Sequence, residues 1–316
     1  MKLVVLALFL LASAASAPAV IIAGDESHST SAPADDFGFE DIAQVFGVSG
    51  NFYSSGVYIG NGWMLSAYHV VHDSSGSGFL FGNVILDGLF YSVDPASAIR
   101  LRNSDDSFAD LALFRLTTTP IGVTGASVSG TVPANNTQVI LAGNGYHRET
   151  TQTQWNVNNS TNPPTWTETT GTGDHQGYYW DYTQTIRWGS NNLNSTPVVV
   201  DDGAGTTTMV RTSFTAGVDG EAQGAAGDSG GGLFYKNGSN WQLLGITLTV
   251  DNFAGQPSTV SPSDIQHDSA VFGNNTYYAD LAAYKPQIDA VVPEPGIGTL
   301  FVTCAGLMLG TARRRK

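Results

Sequence analysis

Gly227-Asp228-Ser229-Gly230-Gly231 decides how this chain is read. A serine set between glycines after an acidic residue presents its hydroxyl beside bare backbone N–H groups, although the same letters alone also spell an ordinary turn. Two upstream stretches give it company. Trp63-Met64-Leu65-Ser66-Ala67-Tyr68-His69-Val70-Val71 is a mostly apolar run that reads as a buried strand ending at His69. Asp110-Leu111-Ala112-Leu113-Phe114-Arg115-Leu116 opens with an acid and continues as a core strand. A serine hydroxyl is a poor nucleophile at neutral pH unless a base within hydrogen-bond reach removes its proton, and imidazole suits because it titrates near working pH. His69 is the candidate base, Asp110 its orienter and Ser229 the nucleophile.

Other residues compete for these roles. His72 lies three residues after His69, but no cysteine accompanies this His-x-x-His pair and the apolar run places His72 in the loop beyond, so a metal site is not expected. Asp105 and Asp106 precede Asp110 in a polar loop; only Asp110 abuts the apolar strand. Histidines 28, 147, 175 and 267 sit in polar, turn-rich sequence and read as surface residues.

The order His, Asp, Ser, each at the edge of an apolar strand, resembles the chymotrypsin/trypsin-like serine protease family. Gly60-Asn61-Gly62-Trp63-Met64-Leu65-Ser66-Ala67-Tyr68-His69 is similar to the family's strand into the catalytic histidine, with Tyr68 where alanine is usual. Leu141-Ala142-Gly143-Asn144-Gly145-Tyr146 resembles the strand that opens the second barrel, Gly245 to Val250 the strand lining the specificity pocket, and Thr276 to Leu281 with Ala282 to Val291 the closing helix. The resemblance spans about Ile21 to Val291. It implies an all-β fold of two packed antiparallel six-stranded barrels with a C-terminal helix, barrel one from about Ile21 to Ser127 and barrel two from about Val132 to Val291. It also implies peptide hydrolysis through an acyl-enzyme without a cofactor, with the N–H groups of Gly227 and Ser229 forming the oxyanion hole.

Two finer features come from the same resemblance. The pocket floor falls at Gln223, six residues before the nucleophile, with Leu248, Thr249 and Val250 on the opposite wall. A neutral amide does not neutralise a Lys or Arg side chain as a carboxylate does, and Glu221 reaches inward only after a loop shift, so small or medium uncharged residues are expected before the scissile bond. Ile21-Ile22-Ala23-Gly24 resembles the family's activated N-terminus; a cut after Val20 would free an α-amino group at Ile21 to pair with Asp228. The alternative is that Ile21 and Ile22 simply begin the first strand.

Both ends of the chain carry address signals. Lys2 and the apolar run Leu3 to Ala12, followed by small residues, form a secretory signal peptide, taken as residues 1–19, with cuts after Ala17 or Ala14 as alternatives. Val292-Pro293-Glu294-Pro295, the apolar span 296–312 and Arg313-Arg314-Arg315-Lys316 resemble the PEP-type sorting signal of bacteria, which an exosortase-type enzyme is thought to cut; a plain anchor is the alternative. The expected partners are therefore a protein or peptide substrate, signal peptidase and an exosortase-type enzyme, with the membrane touched only through residues 292–316.

Composition fits an exported domain at residues 20–291. The single cysteine, Cys304, lies in the tail, so the domain has no disulfide and depends on packing. Removing Lys2 and the four terminal basic residues leaves eight cations against 27 acids, a formal charge near −19, which repels nucleic acid and anionic membranes. Short apolar runs at Val57–Ile59, Val84–Leu86, Leu111–Leu116, Val139–Ala142, Thr208–Val210 and Leu243–Val250, punctuated by Gly, Asn, Thr and Ser, are the pattern of a β-barrel or sandwich. The stretch from His147 to Thr207, rich in Asn, Thr, Trp and Tyr, reads as an extended aromatic loop that makes the Asp110 to Ser229 spacing longer than usual, with Arg187-Trp188-Gly189-Ser190-Asn191 as a strand start. Besides an endopeptidase, a protease-like binding or matrix protein and an esterase of small substrates fit these features.

Overall fold

The computed structural model describes residues 20–46, 53–73, 75, 78–79, 82–258 and 268–292. The signal peptide, the sorting tail and His267 lie outside them. Among the described residues no helix is long and apolar enough to cross a membrane.

Strand β1 (Ile21–Ile22) is followed by β2 (Ile42–Phe46), β3 (Tyr53–Tyr58), β4 (Trp63–Ser66), the one-turn helix α1 (Tyr68–Val71), β5 (Asn83–Leu86), β6 (Leu89–Arg102) and β7 (Phe108–Leu116). Strands β2 to β7 close into an antiparallel barrel in the order β2-β3-β4-β7-β6-β5. Closure leaves no free sheet edge, and alternation sends Val57, Leu65, Leu111, Leu113 and their neighbours into a dry interior. Trp63 to Ser66 and Asp110 to Leu116 pair directly, Leu65 against Leu113 and Ser66 against Ala112, so the two apolar runs that flank His69 and Asp110 in sequence are adjacent strands.

The second half begins with β8 (Gln138–Gly143), continues through β9 (Tyr146–Arg148), β10 (Thr153–Asn158), β11 (Thr165–Glu168) and β12 (His175–Gln184), and then runs β13 (Arg187–Asp201), β14 (Thr206–Ser213), β15 (Ala222–Gln223), β16 (Gly232–Asn237), β17 (Asn240–Val250), β18 (Ser269–Val271) and β19 (Asn275–Asp280). Six of these close a second barrel, β13-β14-β19-β17-β16-β8. The expected all-β fold of two six-stranded antiparallel barrels with a closing helix is what forms. That helix, α2 (Leu281–Val291), is capped by the Asp280 carboxylate, which accepts from Ala282 N at 3.0 Å. It buries Leu281, Tyr284 and Ile288 along one face.

Three local expectations are corrected. Ile21 does not open the first barrel: β1 pairs with β15, Ile21 opposite Gln223, because its side chain packs in an apolar cluster with Ala225, Phe214 and Phe272. The stretch after His147 is not a loop. β9 to β12 and β18 form an extra five-stranded sheet, with Trp155 buried in it and Arg187 starting β13 as expected. His147 is not a surface residue; it is 5% exposed and bonded through Nε2 to Glu26 at 2.7 Å, beside Arg148 and Arg187 on the same carboxylate.

Candidate active site

Strand β4 ends at Ser66, and the chain turns at Ala67 into α1, where Tyr68, Val70 and Val71 are buried and His69 is left facing the cleft, its side chain about 31% exposed. The histidine thus sits on a helical turn rather than at a strand end. Tyr68, at the position where the resemblance expects alanine, is accommodated by packing: the Arg100 guanidinium lies 3.8 Å above its ring and Phe79 meets it edge-on. Asp110, third in β7, is fully buried. It accepts from His69 N through Oδ1 at 2.7 Å, and its Oδ2 stands 2.6 Å from His69 Nδ1. That geometry favours the tautomer with the proton on Nδ1, leaving the lone pair on Nε2. Burial alone would lower the imidazole pKa, but the charge and hydrogen bond of Asp110 outweigh it and hold His69 above its ordinary value.

Ser229 lies in a turn between β15 and β16 that barrel one holds from the opposite side. Ser55, fully buried in β3, donates its N–H to Ser229 O at 2.9 Å and its hydroxyl to Gly227 O at 2.8 Å. Ser66 donates to Ser55 O at 2.8 Å, which ties the serine turn to the strand that precedes His69. Gly230 must be glycine, since its φ is +87° and a Cβ there would lie 2.1 Å from Ser55 O. Within the turn Asp228 N donates to Ala225 O, Gly230 N to Thr247 O and Gly231 N to Asp228 O. The N–H groups of Gly227 and Ser229 have no acceptor among the described residues. No hydrogen bond joins Ser229 Oγ to His69 among the described residues; in sites without substrate such contacts are often long.

In the uncut chain Ile21 lies inside β1. The fully buried Asp228 carboxylate accepts from Gly145 N at 2.7 Å and Ala225 N at 2.8 Å, and burial pushes its pKa up to about 7.

Gln223 is buried, and neither its amide nitrogen nor its amide oxygen has a partner among the described residues. A Cβ at Gly224 would touch Thr276 at 3.1 Å, Val250 at 3.5 Å and Thr247 at 3.6 Å, so three methyl groups crowd Gly224, next to Gln223. Glu221 points elsewhere, accepting from Thr215 N. Leu248 and Thr249 line a cavity of about 490 Å³ with Tyr68, His69, His72 and Asp202. A roomier groove of about 780 Å³ lies on the inserted sheet between Trp155 and Pro257, away from this chemistry.

Thr276 and Asp202 escaped the sequence reading. Thr276 reaches the slot only because β19 pairs with β17, Val250 opposite Thr276. Asp201-Asp202-Gly203 carries just a turn signal. His69, Asp110 and Asp202 offer ligand atoms within 4.8 Å of one another, and Nδ1 of His69 is taken up by Asp110 Oδ2 at 2.6 Å.

Comparison with curated proteins returns no match. Among solved structures the chain is similar to Kallikrein-related peptidase 10, at 15% identity over 81% of this chain and 96% of that one with a TM-score of 0.46. The family model for Trypsin matches residues 40–266. With more than half its length matched, the chain belongs to the trypsin family.

Proposed function

We propose that this protein is an extracellular serine endopeptidase in which Ser229 attacks the scissile carbonyl, His69 Nε2 takes and returns the proton, and Asp110 holds the imidazole and stabilises its cation. The observation that carries the reading is the buried Asp110 carboxylate on both His69 N and Nδ1, in a fold whose other barrel presents a serine turn with two free N–H groups. Gly227 N–H and Ser229 N–H bind the oxyanion, and the acyl-enzyme is then hydrolysed by water activated at the same His69.

The primary pocket takes a small, uncharged side chain. Methyl groups of Thr276, Val250 and Thr247 crowd Gly224 beside its floor, and the Glu221 carboxylate is turned to Thr215 N. The run after Lys2 exports the chain, signal peptidase removes it, and an exosortase-type enzyme recognises Pro293-Glu294-Pro295 at the membrane, leaving the catalytic domain at the cell surface or beyond.

The test is labelling by a serine-reactive fluorophosphonate, read by mass on the tryptic peptide. Attachment at Ser229 in the native protein, lost in Ser229→Ala and strongly reduced in His69→Ala, is the expected result. A folded native protein that stays unlabelled overturns the peptidase reading.

A further inference from the structure

The hairpin between β13 and β14 belongs to barrel two, yet its tip is fastened to barrel one. Arg100 of β6 donates Nε to Ala109 O at 2.9 Å and Nη2 to Ala204 O, bridging β7 and the hairpin. Asn103 donates to Thr206 O at 2.6 Å, and Asp110 N donates to Thr207 Oγ1 at 2.9 Å. Gly205 allows this approach, for a Cβ there would lie 2.7 Å from Phe108 O. The residue these contacts deliver to the site is Asp202.

One carboxylate oxygen of Asp202, Oδ1, accepts from Ala204 N at 3.0 Å and Gly205 N at 3.1 Å. The other, Oδ2, is buried and meets no donor among the described residues. A carboxylate oxygen of Asp202 lies within 4.8 Å of one of Asp110 and of a ring nitrogen of His69. Two carboxylates this close, one of them fully buried, favour a shared proton over two charges. Asp110 already spends Oδ1 and Oδ2 on His69, so it is the acceptor and Asp202 carries the proton.

We propose that Asp202 is a positioning residue of the catalytic machinery: protonated, it donates a hydrogen bond to Asp110 and braces that carboxylate against His69, and ionised, it adds a second negative charge behind the imidazole. The inference rests on the triad reading above. Burial, and then the charge and hydrogen bond of Asp110, push the Asp202 carboxyl up to about 6, so the proton is exchanged in the range where His69 works. Other ionisable groups around it are Tyr68 and His69 of α1, His72 just after it, Arg100 of β6 and the adjacent Asp201, whose carboxylate is turned to Gly203 N; Leu248 and Thr249 of β17 bring no charge. The Asp202 charge acts on His69 in the same direction as that of Asp110, favouring the imidazolium.

The experiment compares native protein with Asp202→Asn and Asp202→Ala across pH, using the fluorophosphonate acylation rate and kcat and KM on a peptide cleaved by the native enzyme. Asparagine keeps the acceptor for the Ala204 and Gly205 N–H groups and a donor toward Asp110, but no charge. Its acid limb is expected at lower pH than native, so that below the native midpoint it acylates faster than the native protein. Alanine is expected to lower kcat about tenfold or more with little change in KM, and asparagine to restore most of that loss. An acid limb unmoved in Asp202→Asn overturns the proposal, as does native kcat in Asp202→Ala. If alanine prevents folding, the asparagine limb decides alone. Absent labelling of Ser229 in the native protein marks failure of the peptidase reading instead; Asp202 is then tested by NMR titration of the His69 ring, whose pKa is expected to fall in Asp202→Asn, and an unchanged titration overturns the proposal.

Discussion

Gly145→Ala tests whether Asp228 organises the serine turn through hydrogen bonds made inside the intact chain. A Cβ at Gly145 would stand 2.4 Å from both Asp228 Cγ and Oδ2, about an ångström inside a normal non-bonded approach of about 3.5 Å. The backbone of Gly145 is not in the left-handed region, so alanine brings a collision without dihedral strain. Asp228 is fully buried and has no open space to swing into. Relief therefore breaks its bonds to Gly145 N and Ala225 N, each worth about 1.5 to 3 kcal/mol for an acceptor that carries charge. A loss of about 3 kcal/mol corresponds to a fall of roughly 6 to 12 °C in melting temperature for a domain of this size. Because Asp228 lies between Gly227 and Ser229, its displacement misaims their N–H groups, and loss of one oxyanion donor costs about 100- to 1,000-fold. The assay is the second-order rate of fluorophosphonate acylation beside a thermal melt. Gly122→Ala is the control: φ is +88° with nothing within 4 Å, so it costs about 1 to 2 kcal/mol of backbone strain at a surface turn and leaves acylation unchanged. Native acylation in Gly145→Ala, or equal losses in both variants, refutes the reasoning.

Asp110→Asn keeps the shape of the orienter but favours the wrong imidazole tautomer, and kcat on a peptide is expected to fall about 10,000-fold with the melting temperature nearly kept. Opening the slot with Val250→Gly and Thr276→Gly together is expected to raise kcat/KM for phenylalanine before the scissile bond relative to alanine by about 10- to 100-fold; an unchanged ratio in a peptide-library profile contradicts the pocket assignment. Asp41 is buried beside Glu40 and its pKa is pushed up to about 8, chiefly by burial. A carboxyl whose folded pKa is raised stabilises the fold fully below its unfolded value near 3.8 and loses that contribution as pH rises toward 8. Asp41→Asn, which keeps the acceptor for Gly125 N, is therefore expected to gain stability on the order of 2 kcal/mol relative to native at pH 8 and little at pH 4, read from melts at both pH values.

The parts legible in the sequence were those written in local pattern. The apolar runs at Trp63 and Leu111 announce core strands whatever their partners, and each delivers its polar neighbour, His69 or Asp110, to a strand end or the turn beyond it. The glycines around Ser229 announce a turn, and the resemblance then supplied the two barrels. What escaped depends on pairings made far along the chain. His147 reads as surface because Glu26, 121 residues away, is what buries it. The inserted sheet reads as loop because Asn- and Thr-rich strands show little apolar alternation, and their order comes from β18, beyond the nucleophile. Thr276 and Asp202 carry no local signal, since one is set by strand register and the other by a hairpin that crosses to the neighbouring barrel.

That crossing explains how the site is held in a domain whose sequence has its single cysteine in the tail. Barrel one supplies His69 and Asp110, but Thr207 and Asp202 of barrel two bear on Asp110. Barrel two supplies Ser229, but Ser55 of barrel one holds the carbonyls on either side of Asp228, while Gly145 and Ala225 hold its carboxylate. Each half of the machinery is thus clamped by the other half's strands, through buried hydrogen bonds that salt screens little. Because the clamps are short and reciprocal, loosening either barrel misplaces the proposed nucleophile and base together. Catalysis should therefore fail before the barrels unfold, at the interface where the two half-sites meet.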